Sequence, residues 1–245
     1  MIDIKQTPQQ IAGLTYIRRE DNIVVYQLDD ARRDTTDAWV DLSRANDEAA
    51  VAENRWLYTL IILNIALSSP YLIQRGIKLA SSNPAALNEV VAVVVMPGIS
   101  ATFLMATLNR LPSKTQQAVR IFNNQAEAIE WLYKRQQETA EFLYLTTTGH
   151  VSGKPHEIEI WFVAYHEGYY LIAEYEEKSH WVQNIQQNPA IKFRVGGHQH
   201  DGIARIVDKD QERHLVRAVS RLMDTKYKWS EGLIVELRVS DEDLH

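Results

Sequence analysis

From Thr146 to Pro155 the chain reads TTTGHVSGKP, and His156 follows. Gly149 and Gly153 give this turn unusual backbone angles and close approach to a ligand. Around them stand Ser152, Lys154 and the imidazoles of His150 and His156. With exposed amides, that set can hold a phosphate. Glu157 and Glu159 share one strand face, as a glycosidase or a metal site requires, and as a polar barrel face or interface also does. His198 and His200 place two imidazoles on one face of a strand with Asp201 nearby, a spacing that suits a shared metal or a solvated edge strand. Trp39, Trp56 and Trp131 read as helix–sheet packing. The chain has no cysteine, so disulfides, thiolate catalysis and cysteine-held zinc or iron–sulfur sites are excluded. It also has no GxGxxG or GxxxxGK phosphate loop, and no metal is expected.

Two segments of different composition must position these groups. All eight histidines lie at or after His150, and seven of the ten glycines lie in the second half. Residues 1–138 carry 14 basic and 15 acidic residues, and the remainder carries 12 and 17. The net charge of −6 is therefore mostly a property of the second part. It argues against a nucleic-acid partner, which phosphate contacts would favour with a basic surplus. Leu57 to Leu67 is too short to span a bilayer, and Pro97-Gly98 breaks Val90 to Ala106. With no signal-peptide pattern at the N-terminus, a soluble cytoplasmic protein without a membrane partner is expected.

The first half alternates. Strands are expected at Ile23 to Leu28, Leu57 to Ile65, Glu89 to Met96 and Val119 to Phe122. Helices are expected at Arg33 to Glu53, from Ser68-Ser69-Pro70 to about Ser81, at Ile99 to Leu111 and from Gln125 past Lys134. Thr35 or Asp34 suits the first cap. Such alternation implies a mostly parallel sheet with covering helices. The second half gives a meander, Glu141 to Thr148, Glu157 to Tyr165 and Tyr169 to Ala173. A helix follows from Ser179 to Gln187, then strands at Ile191 to Val195 and Gln199 to Val207. A helix over about Asp210 to Met223 and a strand from Leu233 to Val239 complete a small barrel. The fold class expected is thus an α/β domain over 1–137 followed by a β-barrel over 138–245.

The first half resembles the STAS-like family of anti-sigma-factor antagonists. The resemblance rests on the strand leading into Asp29-Asp30 and RRDTTDAW, on Ser68-Ser69 between strand and helix, and on RIFNNQAEAIEWL. It implies a protein partner for this domain and a phosphate-accepting serine at Ser68 or Ser69. The Asp that usually precedes that serine is missing from NIALSSP, and two capping serines explain the pair as well.

The second half resembles the flavin-binding split barrels of pyridoxamine-phosphate oxidases, and within them the deazaflavin-dependent nitroreductase family. The segments LTTTGHVSGKPHEIEIWFV and WVQNIQQNPAIKFRVGG carry the resemblance. It implies a coenzyme, the deazaflavin or FMN, held by Thr147, Thr148, His150, Ser152, Lys154 and His156. Glu174 to Lys178, with Lys178, and then Trp181, Asn184 and Ile185 would add contacts. Trp161 would pack on the ring, and the helix start at Ser179 would attract the anion. Tyr227 resembles a substrate-side tyrosine able to donate a proton; packing beside Trp229 is the competing role. A homodimer with the coenzyme near the interface is implied. Relatives often carry Arg in place of His150 and His156, and a basic loop in place of EYEEKS. The function expected is a flavin- or deazaflavin-dependent oxidoreductase with a regulatory first domain. The alternative is a non-enzymatic regulatory or sensor protein acting through protein–protein contacts.

Overall fold

The computed structural model describes residues 8–65, 69–95 and 118–240. The expected helix over Ile99 to Leu111, and Ser68, lie outside the described residues. The chain divides into two compact units, residues 1–136 and 137–245.

The first unit is an α/β sheet with strand order β1-β2-β3-β4-β5-β6. Its strands are β1 (Gln9–Ile11), β2 (Leu14–Arg18), β3 (Ile23–Leu28), β4 (Leu57–Leu63), β5 (Glu89–Val95) and β6 (Val119–Phe122). The hairpin β1–β2 and the pair β2–β3 are antiparallel, and the pairs from β3 to β6 are parallel. Strands β3, β4 and β5 are nearly continuous runs of apolar residues because both of their faces are covered. On one face, α1 (Arg33–Ala52) and α2 (Pro70–Ser81) pack through Trp39, Val40, Leu72 and Leu79. On the other, α3 (Gln125–Thr139) packs through Ala128 and Leu132. Ser69 caps α2 by accepting from the Leu72 amide at 3.1 Å, and Pro70 takes the first helical position. The cap expected for α1 is different: Arg32 takes the N-cap position with no side-chain bond. The Thr35 hydroxyl instead donates to Asp30 and accepts from the Gly13 amide, tying the β1–β2 turn to the helix start.

The second unit is a closed antiparallel barrel of order β10-β11-β12-β9-β8-β7. Its strands are β7 (Phe142–Thr148), β8 (Pro155–Tyr165), β9 (Gly168–Ala173), β10 (Ala190–Val195), β11 (His198–Ile206) and β12 (Leu233–Val239). A 3-10 turn (Glu176–Lys178) and α4 (His180–Gln187) link β9 to β10, and α5 (Arg213–Tyr227) links β11 to β12. Period-two alternation sends Leu143, Leu145, Phe162, Leu171 and Phe193 inward, where all five are buried. Burial stabilises each such side chain by about 1.5–3 kcal/mol relative to exposure. Gly202 is required where β11 meets β12, since a Cβ there would lie 2.4 Å from the Arg238 carbonyl oxygen. Arg205 binds Glu212 at the start of α5 and the buried Glu236 of β12.

Candidate functional site

The inward phase of β7 does not stop at the apolar residues. Thr147 follows Leu143 and Leu145 to the inside and is buried, so its hydroxyl needs a partner. Asn184 of α4 supplies it: its side-chain amide donates to Thr147 Oγ1 at 2.9 Å. The Asn184 Oδ1 accepts from the His150 amide and from His150 Nδ1, both at 2.8 Å. One buried amide thus fixes the end of β7 and the first turn residue against α4. Within the turn, Gly149 N donates to the Lys154 carbonyl and Gly153 N to the Gly149 carbonyl, both at 2.8 Å. Lys154 N donates to Ser152 Oγ, which lies 3.1 Å from His156 Nε2. Gly153 holds φ +65°, the left-handed region in which glycine is favoured.

This corrects one expectation. The amides of Gly149, His150, Gly153 and Lys154 all have partners inside the protein, so they do not form an anion cradle. What the turn offers a ligand is side chains. His150, Ser152 and His156 line a concavity of about 770 Å³ together with Ser179 and His180 at the start of α4. Ser179 is the N-cap of α4, makes no side-chain cap bond and lines the cleft. The first amides of a helix have no intrahelical partner and attract anions. Glu157 also lines this cleft, with Arg194 4.0 Å away.

A second concavity, of about 730 Å³, shares Tyr175, Ser179 and Trp181 with the first. Trp161 and Trp229 complete its aromatic wall, and Glu141, Glu159 and Glu174 line it as well. Trp161 stands outward on β8, out of phase with Ile158, Ile160 and Phe162, and is 37% exposed. It stacks on Tyr227 with ring centroids 4.9 Å apart and an 11° interplanar angle, and tilts against Trp229. Lys228 ends α5 in the left-handed conformation, after which the chain reaches Trp229.

The expected residues therefore separate. His150, Ser152, His156, Thr147 and Asn184 line the polar cleft, Trp161 the aromatic cleft, and Trp181 both. The lining of the two clefts includes neither Thr148 nor Lys154 nor Lys178. Tyr227 is absent from both linings too. Its hydroxyl lies 2.6 Å from the Glu141 carbonyl and 2.9 Å from the Phe162 carbonyl, and accepts from the Phe162 amide. Burial pushes the phenol up to about 12. The hydroxyl is thus engaged with main-chain groups, and the ring packs on Trp161. Among the described residues no group of three or more His, Asp or Glu could hold a metal. His200 packs on the Phe193 ring. No described helix is long and apolar enough to cross a membrane.

Tyr175 falls within the Glu174 to Lys178 segment expected to add contacts, but its role as an aromatic wall, 70% exposed and lining both clefts, was not foreseen. Its signal was weak: one aromatic inside a run of acids. Glu236 was also missed, a carboxylate within a strand whose one other charged residue is Arg238.

Residues 118–232 match the family model of the F420H2-dependent quinone reductases. The matched region contains the turn, both clefts and α5, and begins with β6 and α3 of the first unit. That family's coenzyme is the reduced deazaflavin F420H2. The chain is also similar to three solved structures. One is a Listeria innocua protein assigned as a pyridoxamine 5'-phosphate oxidase, with 11% identity over 46% of this chain and 94% of that chain and a TM-score of 0.38. Another is an F420 reductase, with 18% identity over 44% and 93% and a TM-score of 0.34. The third is a FAD-binding protein from Mesorhizobium loti, with 10% identity over 44% and 88% and a TM-score of 0.37. No curated protein matches the chain.

Proposed function

We propose that the barrel binds the deazaflavin coenzyme and that the protein is an oxidoreductase of the deazaflavin type. The observation that carries this reading is the family match over residues 118–232, which takes in the whole of both clefts. Each concavity lies within the roughly 300–1,000 Å³ of small-molecule sites. The coenzyme, when bound, supplies the hydride chemistry; the protein binds it, orients it and excludes water. His150, Ser152, His156 and the Ser179 hydroxyl suit its phosphate, aided by the first amides of α4. Trp181 lies between the two clefts, and Trp161 gives a flat face for a ring. Asn184 acts one step back, holding His150 and Thr147 in place. Lys154 and Lys178 act only through distance.

The reading extends to the rest of the chain. Domains at 1–137 and 138–245, a STAS-like first domain with a protein partner, a homodimer and a cytoplasmic location belong to it. The alternation of strand and helix from β3 to β5, and the β6–α3 pair, support the STAS-like part. A non-enzymatic sensor role is favoured by one observation, the three carboxylates lining the aromatic cleft.

Titration of the purified protein with the deazaflavin coenzyme and, separately, with FMN tests the central claim by fluorescence. Binding of the deazaflavin in the micromolar range, tighter than FMN, is expected. His156→Ala should weaken it by about 1–3 kcal/mol, and Lys154→Ala by less. If neither compound binds below about millimolar, the oxidoreductase reading is lost.

A further inference from the structure

The aromatic cleft carries carboxylates that a phosphate-bearing coenzyme does not explain. Its wall is Trp161, Trp181, Trp229 and Tyr175, and Glu141, Glu159 and Glu174 line it, while its lining contains no lysine, arginine or histidine. Two cations on neighbouring elements have partners of their own. Lys226 Nζ donates to the carbonyls of Ala140 and Phe162, beside Glu141. Arg194 lies over the Tyr144 ring, 4.1 Å from its centroid. Glu159 takes a hydrogen bond from the Tyr144 hydroxyl and has no ion-pair partner among the described residues. Glu159 and Glu174 therefore set the sign of the cleft.

Faces of tryptophan and tyrosine carry negative potential from the ring quadrupole, and indole is the strongest. Three indoles and a phenol, with carboxylates at their margin, add two attractions of the same sign. Both favour a flat molecule that bears positive charge. A flat neutral molecule gains the stacking alone, and an anion is repelled.

We propose that the aromatic cleft binds a planar organic cation. That this cation is the substrate of the oxidoreductase rests on the coenzyme reading above; that the cleft binds it does not.

The test is calorimetric titration of the coenzyme-free protein with three probes of one shape: the 1-methylquinolinium cation, neutral quinoline at pH 8, and the naphthalene-2-sulfonate anion. The cation should bind about tenfold more tightly than quinoline, and the anion more weakly than either. Glu159→Gln combined with Glu174→Gln should remove most of that preference and leave quinoline unchanged. The pair Glu127→Gln and Glu130→Gln, on the exposed side of α3, makes the same change in net charge elsewhere and should leave the preference intact. Equal affinity for cation and quinoline overturns the proposal. So does an equal loss in both double variants, which would assign the preference to net charge alone. Because no coenzyme is present, failure here leaves the deazaflavin titration standing, and failure of that titration leaves this one standing.

Discussion

In the α/β unit, Asp47 of α1 is packed against the sheet with 7% of its surface exposed; in the barrel, Glu236 of β12 is buried to 1%. The two carboxylates are held in opposite ways. Burial raises Asp47 to about 7, and the charges of Glu89 and Glu48 add to the rise. Burial pushes Glu236 up as well. The Tyr170 hydroxyl and the guanidiniums of Arg238 and Arg205 more than reverse this, so its pKa lies below the usual carboxylate value. The barrel thus carries an ionised group with its partners built in, whereas the α/β unit carries one that is easier to bury protonated. A buried charge is tolerated only when its neighbours replace water, and the two units show both sides of that rule.

The largest way to break the contrast is Glu236→Gln. It removes the charged acceptor shared by Tyr170, Arg205 and Arg238, both cations being substantially exposed, and should cost the barrel about 2–3 kcal/mol. Hydrogen exchange by mass spectrometry should show the loss in β9, β11 and β12 amides and not in β3 to β5. An effect spread equally over both units would refute the assignment. Next comes pH. Asp47 keeps its proton in the folded state up to about 7, whereas an unfolded Asp releases it near 3.9. Folding therefore binds a proton between those values, and the α/β unit should lose stability as pH rises from about 4 to 7. Glu236 works the other way: its contribution is present above the unfolded value of about 4.3 and is lost as pH falls through its lowered folded pKa. Asp47→Asn should flatten the first slope and stabilise the α/β unit by about 2 kcal/mol at pH 8. An unchanged slope would show that other groups set it. The smallest expected effect is Tyr227→Phe. Losing the hydroxyl that joins Phe162 and Glu141 should cost about 1 kcal/mol of barrel stability. Coenzyme affinity and turnover should stay within about threefold, where a catalytic proton donor would cost roughly a hundredfold or more.

Much of the fold was legible because the local signals agreed with the global one. Ser69-Pro70 is an N-cap and first helical position, and α2 starts there. The strands Val119–Phe122 and Leu233–Val239 are bounded by residues that do not continue the pattern. The β1–β2 hairpin escaped notice for a specific reason. Its two-residue turn puts Ala12, not glycine or asparagine, at φ +51°, so the usual turn residue is absent at the position that needs it. Gly13 beside it answers a different demand: a Cβ there would meet the Asp30 carboxylate at 2.3 Å. Helix α5 runs four residues beyond the expected Met223 because its stop is Lys228 in the left-handed conformation, again without glycine.

The candidate site was legible as a set of residue types and not as a set of bonds. The turn sequence pointed to His150, Ser152 and His156, and these do line a cleft. That the His150 amide turns inward onto Asn184 depends on a helix more than thirty residues away, while the amides of Gly149, Gly153 and Lys154 bond within the turn. The meeting of Trp161, Trp181, Tyr175 and Trp229 joins a strand, a helix and two connecting segments, a convergence that no spacing within one element encodes.

The pairing of β10 with β7 through Phe193↔Leu145 closes the barrel. A ring of strands has no free row of amides and carbonyls, so this unit offers nothing to an extended peptide seeking to join it by backbone bonds. Recognition by the barrel therefore falls to side chains and to amides at helix ends, as in its two clefts, rather than to a strand edge. The α/β sheet, which ends on the three residues of β1 and the four of β6, keeps its edges too short to be a strong template for strand addition.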